Sequence, residues 1–145
     1  MTSQLVLDCS ATMPWIFASE ATIETDQVLD LVTGGAKVWV PALWHLEVAN
    51  VLLGAKRRKL IDQAGIEQFL ARLAVYDIEV DADTIAASWS RTLGLADLYQ
   101  LTEYDAVYLE LALRKGVPLA SLDGELCAAF KKAGGMLLLN PKVET

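Results

Sequence analysis

Short apolar runs alternate with helical stretches along the whole chain, and this alternation restricts the fold more than any other feature of the sequence. Five short segments rich in apolar residues have the length of strands, at residues 5–7, 38–40, 78–80, 118–122 and 136–139. The segment at 78–80 contains Glu79 and is expected near an edge of the sheet. Between the five segments, apolar residues recur at the spacing of amphipathic helices, which predicts helices at 11–19, 22–33, 43–58, 62–75, 82–93, 102–114 and 125–133. Strands separated by helices favour an α/β fold, with helices on both faces of a mainly parallel sheet of about five strands.

The composition is that of a globular chain, and we expect one domain over residues 1–145. The chain is 54% hydrophobic and 21% charged, which excludes a disordered protein. No apolar run approaches the ~18 residues that a membrane-spanning helix needs. Residues 1–4 carry no basic segment of the secretory type, so we expect a cytoplasmic location.

The apolar pattern also predicts which side chains form the core. In the helix at 43–58, Leu43, Leu46, Ala49 and Leu53 form a stripe at helical spacing, and the other apolar residues predict that this helix is well buried. Large aromatic residues are more often core than interface. This expectation covers Trp15, Phe17, Trp39, Trp44 and Trp89.

The charge pattern argues against a broad basic surface for nucleic acid, because the formal net charge is −7. Four of the twelve lysines and arginines nevertheless form one run, Lys56, Arg57, Arg58 and Lys59. The run is either a solvated helix end, where positive charges interact favourably with the helix dipole, or a patch that contacts phosphates. The sequence leaves both interpretations open. Two separated cysteines and one histidine do not favour a zinc site.

Two predicted strands each end in an aspartate. Asp8 follows the apolar run at 5–7, and Asp123 follows the run at 118–122. Each has a simpler interpretation, Asp8 as a helix cap and Asp123 as the first residue of an Asp-Gly turn. Because the carboxyl ends of parallel strands share one edge of the sheet, where sites form, the two carboxylates are also expected to lie close together.

Two further acids lie on helices that we expect at the same edge. Glu47 falls early in the helix after the second strand. Asp105 follows Thr102 at the spacing of a capping box, which is a structural explanation for it, but the first helical turn is also a suitable position for a metal ligand. Four carboxylates in one place repel each other, and a divalent cation such as Mg²⁺ or Mn²⁺ relieves that repulsion. Such a site can polarise a phosphoryl oxygen and activate water against a phosphodiester.

Four segments carry a family resemblance: Val6-Leu7-Asp8-Cys9-Ser10, and residues 41–52, 101–112 and 119–123. Their order and spacing extend over most of the chain and resemble those of the PIN-domain ribonucleases, of the VapC toxin type found in bacterial and archaeal toxin–antitoxin pairs. Each segment is a weak motif alone, whereas the ordered set of four is specific.

The resemblance implies a PIN-like three-layer sandwich and an endoribonuclease that depends on Mg²⁺ or Mn²⁺. It also implies a homodimer and a cognate antitoxin that inhibits the enzyme. By position, Asp8 and Asp105 match the principal metal ligands, with Asp123 as a further ligand, and Glu47 completes the catalytic set of four acids. Ser121 matches a supporting hydroxyl, and Ser10 is assigned the same supporting role.

One departure from the family pattern concerns the binding of RNA. Many relatives have a basic residue one or two positions after the last acid, where this chain has Gly124 and Glu125. We therefore expect RNA phosphates to be contacted elsewhere, and the run from Lys56 to Lys59 is the candidate. Ile16 and Phe17, on the first predicted helix, are candidates for contact with an antitoxin.

Three other functions compete with the nuclease. A phosphatase of the haloacid dehalogenase type would need a second aspartate where this chain has Ser10, and a lysine near a strand end. A receiver domain would need paired acids after the first strand and a lysine after the last, where the sequence has Asn140. A PIN-fold scaffold without catalysis is less favoured, because all four acids are present.

Overall fold

The computed structural model describes residues 3–141. The predicted domain span of 1–145 and the N-terminal segment 1–4 therefore extend partly outside the described residues. Four strands form one parallel sheet in the order β3-β2-β1-β4. The strands are β1 (Gln4–Leu7), β2 (Lys37–Val40), β3 (Ile78–Val80) and β4 (Leu119–Ala120).

Helices connect the strands and lie on both faces of the sheet, as the alternating sequence predicts. They are α1 (Cys9–Thr12), α2 (Ile23–Thr33), α3 (Leu43–Arg57), α4 (Gln63–Leu73), α5 (Thr84–Ala87), α6 (Arg91–Tyr99), α7 (Glu103–Lys115) and α8 (Gly124–Lys132). The prediction of an α/β sandwich with a parallel sheet is confirmed. Among residues 3–141, no helix has the length and apolar character to cross a membrane.

The centre of the fold is β1, which pairs with β2 on one side and β4 on the other. Leu5, Val6 and Leu7 are fully buried, because helices cover both sides of this strand. The edge position predicted for the strand at 78–80 is correct. The last predicted strand, at 136–139, is reduced to a single parallel bridge between Leu119 and Leu137. The sheet therefore has four strands where about five were expected.

Two predicted helices have different boundaries in the structure. The helix at 11–19 is divided into α1 and two 3₁₀ turns, Met13–Trp15 and Ala18–Glu20, and Pro14 lies in the first of these turns. The helix at 82–93 is interrupted after α5, and α6 extends through residues that were expected to form a connection. At the interruption, the Ser90 hydroxyl donates to the Ala87 carbonyl, a local bond that competes with helix continuation.

Residues that were predicted to be buried are exposed in two places, at Trp89 and on α3. Trp89 lies in the turn between α5 and α6 and is 91% exposed. On α3, Leu46 and Leu53 of the predicted stripe are exposed, and the opposite face carries the buried residues Trp44, Val48, Leu52 and Ala55. Both faces of α3 are apolar, so helical periodicity alone does not identify the buried face.

Candidate active site

Asp8 lies directly after β1 and is the most enclosed of the four predicted acids, with 5% of its surface exposed. Its Oδ1 accepts hydrogen bonds from the Ser10 hydroxyl at 2.7 Å and from the Ala11 N–H at 3.0 Å. Its Oδ2 accepts one from the Ser121 hydroxyl at 2.5 Å. Asp8 therefore caps α1, as its simpler interpretation predicted, and is also fixed by the two serines that were assigned supporting roles.

The same serines join Asp8 to Asp123. The Ser10 hydroxyl accepts the Leu122 N–H at 2.8 Å, and the Ser121 hydroxyl accepts the Asp123 N–H at 3.0 Å. Asp123 is partly buried and caps α8 through its Oδ1, which accepts the Leu126 N–H at 2.9 Å. The ends of β1 and β4 are thereby connected through two hydroxyls, with one carboxylate on each side.

Asp105 and Glu47 approach from the helices. Asp105 lies in the first turn of α7, where its N–H donates to the hydroxyl of the N-cap residue Thr102 at 3.1 Å. Glu47 lies in the second turn of α3 and is partly buried. One of its carboxylate oxygens accepts a hydrogen bond from the hydroxyl of Tyr108, one turn after Asp105 on α7. We refer to Asp8, Glu47, Asp105 and Asp123 together as the acidic edge.

The acids of the acidic edge influence one another electrostatically. Burial raises the pKa of Asp8 to about 6, and the charge of Asp123 contributes to the rise. The pKa of Asp105 is raised by burial, by Asp123 and by Glu47. Burial and the charges of Glu47 and Asp8 raise the pKa of Cys9 to about 12, so its thiol stays protonated and is not a nucleophile at neutral pH. The four acids thus contribute to one negative electrostatic environment.

The donor chemistry of the acidic edge suits Mg²⁺ or Mn²⁺, since all four groups are carboxylates. Among residues 3–141, the His, Cys, Asp and Glu side chains form no group of three or more that could hold a metal ion as they stand. Protein donors hold two of the acids, since Asp8 accepts bonds from two serines and Asp123 caps a helix. Asp8 Oδ2 and Asp123 Oδ1 each accept one hydrogen bond and retain a second lone pair for a cation, whereas Asp8 Oδ1 already accepts two.

The basic run lies at the far end of α3 from the acidic edge. Lys56 and Arg57 form the last turn of α3, and Arg58 and Lys59 follow it, all four exposed to solvent. Arg57 is ten residues beyond Glu47, so the two are about 15 Å apart along the helix axis. The structure therefore does not bring these cations into contact with the acids.

Two features of this region were not predicted from the sequence. Tyr108 was not identified as a partner of Glu47, although its position one turn after Asp105 was a signal that it faces the same way. A groove of about 490 Å³ between α3 and α4 was also not predicted. Its lining includes Trp44, Val48, Ile66 and Leu70 and none of the four acids.

The family is established by comparison of the sequence. The model of the PIN domain family matches residues 5–132, a span that contains all four acids. The chain belongs to the PIN domain family, whose members are generally nucleases and generally use divalent metals.

Two solved structures show the same fold. PAE2754 from Pyrobaculum aerophilum is 22% identical, with a TM-score of 0.70, over 95% of this chain and 91% of that chain. FitAcB from Neisseria gonorrhoeae is 15% identical, with a TM-score of 0.58, over 92% of this chain and 95% of that chain. No curated protein matches the chain.

Proposed function

We propose that this protein is a Mg²⁺- or Mn²⁺-dependent endoribonuclease and the toxin of a VapBC-type toxin–antitoxin pair. The observation that carries the proposal is the acidic edge itself. In a chain of a nuclease family, four carboxylates from four separate segments contribute to one electrostatic environment, and the pKa values of two of them are raised. Burial is the largest cause of both rises and the neighbouring acids add to it, and a divalent cation would offset both costs of ionisation.

In this proposal Asp8, Asp105 and Asp123 would hold the cation, and Glu47 would supply the fourth negative charge. A bound Mg²⁺ or Mn²⁺ supplies polarisation of a phosphoryl oxygen and activation of water for in-line attack. Ser10 and Ser121 keep Asp8 in place, because their hydroxyls donate to opposite oxygens of its carboxylate. Through the backbone N–H groups of Leu122 and Asp123, the same hydroxyls fix the segment that carries the third ligand.

The proposed substrate is single-stranded or loop RNA. The run from Lys56 to Lys59 would contact phosphates away from the scissile bond, since Gly124 and Glu125 supply no cation beside Asp123. This arrangement is consistent with an acidic protein, because a local patch and a metal ion can attract a polyanion that the net charge of −7 repels.

The proposed partners are a cognate antitoxin and a second copy of the chain, in a cytoplasmic location where the RNA would be found. Ile16 and Phe17, the candidates for antitoxin contact, line a groove of about 500 Å³ with Met13, Val51 and Leu60. The groove also carries Glu20 and Arg58, so it offers both apolar contacts and charges to a partner segment. We propose that residues 1–145 form one PIN domain.

The proposal is tested by incubating the purified protein with a panel of labelled RNAs in Mg²⁺, in Mn²⁺ and in excess chelator. We expect cleavage that requires the cation and that is lost in the variant Asp8→Asn, with an unchanged circular dichroism spectrum. Cleavage that persists in excess chelator, or full activity of Asp8→Asn, would contradict the metal mechanism. A folded protein that cleaves no RNA under any condition would favour the scaffold without catalysis.

A further inference from the structure

Tyr108 is a buried tyrosine whose hydroxyl is directed at one acid of the acidic edge. The side chain is 2% exposed and packs within the hydrophobic core. Its hydroxyl donates to Oε1 of Glu47, which is 61 residues away in the sequence. The bond therefore joins α7 to α3 at the level of the acids.

The surroundings of Glu47 show what this bond does. On α3, the neighbouring residues Leu46 and Asn50 are exposed, so a glutamate between them could extend into solvent. Instead, the Tyr108 hydroxyl holds the Glu47 carboxylate against α7. The Tyr108 ring is itself fixed in the core. A glutamate side chain has several rotatable bonds, and holding it in one orientation costs conformational entropy that the hydrogen bond offsets.

The orientation held by Tyr108 directs the charge of Glu47 inward. Tyr108 lies one turn after Asp105 on α7, so the bond brings the Glu47 carboxylate to the helix that carries Asp105. Burial and the bond to Glu47 raise the pKa of Tyr108 far above that of a free phenol, so its hydroxyl keeps the proton that it donates.

We propose that Tyr108 is a positioning residue of the nuclease, whose hydroxyl holds the Glu47 carboxylate towards Asp8 and Asp105 and so preassembles the acidic edge. The inference rests on the proposed function and assigns a role to a residue that acts through Glu47. Preassembly matters because displacing a reacting group by about 1 Å can lower the reaction rate by as much as about a hundredfold.

The test compares Tyr108→Phe, which removes one oxygen and keeps the ring, with Tyr104→Phe. Tyr104 is on the same helix and is 65% exposed, so it is a matched control. We expect Tyr108→Phe to lower kcat for RNA cleavage by roughly tenfold to a hundredfold, with little change in KM. Tyr104→Phe should leave both constants unchanged. An unchanged kcat in Tyr108→Phe would overturn the inference.

A double-mutant cycle distinguishes positioning from a purely structural role. In a Glu47→Ala background, Tyr108→Phe should have no further effect on kcat, because its partner is gone. An equal loss in both backgrounds would show that Tyr108 does not act through Glu47. Calorimetric titration with Mn²⁺, normalised to the folded fraction, gives a readout other than activity. We expect Tyr108→Phe to weaken Mn²⁺ binding several-fold, and only where Glu47 is present.

The two levels of the proposal can fail separately. If the wild-type protein cleaves RNA without a cation, the metal mechanism fails. If wild-type cleavage depends on the cation but the Mn²⁺ affinity is the same in Tyr108→Phe as in the wild type, only the role of Tyr108 is contradicted.

Discussion

At the scale of single residues, Asp8 combines a structural and a functional position. It caps α1 and is fixed by Ser10 and Ser121, yet burial and the nearby Asp123 raise its pKa to about 6. A carboxyl group whose pKa is higher in the folded state than in the unfolded chain binds its proton more tightly when folded. The stabilisation that comes from protonation of Asp8 is therefore full below about pH 4 and is lost as the pH rises through about 6.

The first prediction follows from this dependence of stability on pH. With chelator present, Asp8→Asn should be more stable than the wild type at pH 8, by about 2 kcal/mol. This value is the linkage gain for a pKa shift of this size, less the cost of a serine hydrogen bond that an amide nitrogen cannot accept. At pH 4 the gain should disappear. Urea unfolding at both pH values measures the difference in unfolding free energy between Asp8→Asn and the wild type. Asp97→Asn is the control, since Asp97 is exposed. An equal destabilisation of Asp8→Asn at both pH values would contradict the assignment.

The residues of the acidic edge could be predicted unequally from the sequence. Asp8 and Asp123 each follow an apolar strand, so a local pattern was sufficient to predict that they share an edge. The hydrogen bond from Tyr108 to Glu47 could not be predicted, because it depends on how α7 crosses α3. Trp89 was assigned to the core by its residue type, but its exposure follows from the turn between α5 and α6.

At the scale of elements, α7 is joined to the edge of the sheet by buried ions. Arg114 donates to both oxygens of Asp81, which follows β3, at 2.6 and 3.1 Å. It also donates to Glu110 on its own helix at 2.7 Å. Both acids are buried, and β3 has only three residues. Arg114 therefore stabilises the attachment of a short strand to the helix that carries Asp105.

The second prediction concerns this attachment. Arg114→Leu should lower the free energy of unfolding by about 3–5 kcal/mol, because two buried carboxylates lose their hydrogen-bonded cation. Within residues 3–141, Asp81 and Glu110 keep only the longer contacts with Lys115 at 3.8 Å and with Arg91 at 3.5 Å as ion pairs. Arg91→Leu is the matched control, since Arg91 is exposed and lies 3.5 Å from Glu110, and its loss should cost less than about 1 kcal/mol. Equal effects of the two substitutions in urea denaturation would show that burial of the acids does not determine the cost.

The Asp81 pair also predicts a response to acid. Burial acts to raise the pKa of Asp81, but hydrogen bonds from Arg114 and Thr84 and the charge of Arg114 outweigh it, so the pKa is lowered. For a lowered pKa, the stabilisation is present above the unfolded value and is lost as the pH falls through the folded one. The difference in unfolding free energy between the wild type and Arg114→Leu should therefore shrink below about pH 4. A difference in unfolding free energy that is constant from pH 7 to pH 3 would contradict this prediction.

The third prediction concerns the basic end of α3. Replacing Lys56, Arg57, Arg58 and Lys59 with alanine should weaken RNA binding. It should also reduce the slope of log K against log salt, by about 0.7 for each phosphate that the protein no longer neutralises. Lys131→Ala/Lys132→Ala, at the exposed end of α8, is the control and should leave the slope unchanged. If the fourfold variant kept the wild-type slope, this run would not contact RNA.

Element boundaries show what helical periodicity can and cannot predict. The helices that begin with a capping side chain, such as α4 after Asp62 and α7 after Thr102, start where the sequence predicts. The predicted helix at 82–93 was wrong, because serine side chains end α5 after one turn and the chain restarts as α6. The prediction that α3 is well buried was wrong, because the face that carries Leu46 and Leu53 is exposed although its residues are apolar.

At the scale of the whole molecule, the order of elements determines where the chemistry can lie. Parallel strands separated by helices place the carboxyl ends of β1 and β4 side by side, and Asp8 and Asp123 follow these ends. PAE2754 and FitAcB have the same fold at 22% and 15% identity, so the fold depends on the pattern of apolar and polar positions more than on particular residues. That pattern is readable from one sequence, which explains why the fold class could be predicted while individual contacts could not.

The central claim is that the acidic edge binds a divalent cation, and Mn²⁺ binding to wild-type protein, Asp105→Asn and Asp97→Asn tests it most directly. Asp105 is partly buried beside Asp123 and Glu47, whereas Asp97 is exposed on α6. In isothermal titration calorimetry we expect Asp105→Asn to bind Mn²⁺ at least about tenfold more weakly than the wild type, and Asp97→Asn to bind like it. Wild-type affinity in Asp105→Asn, or no binding of Mn²⁺ by the wild-type protein, would contradict the claim.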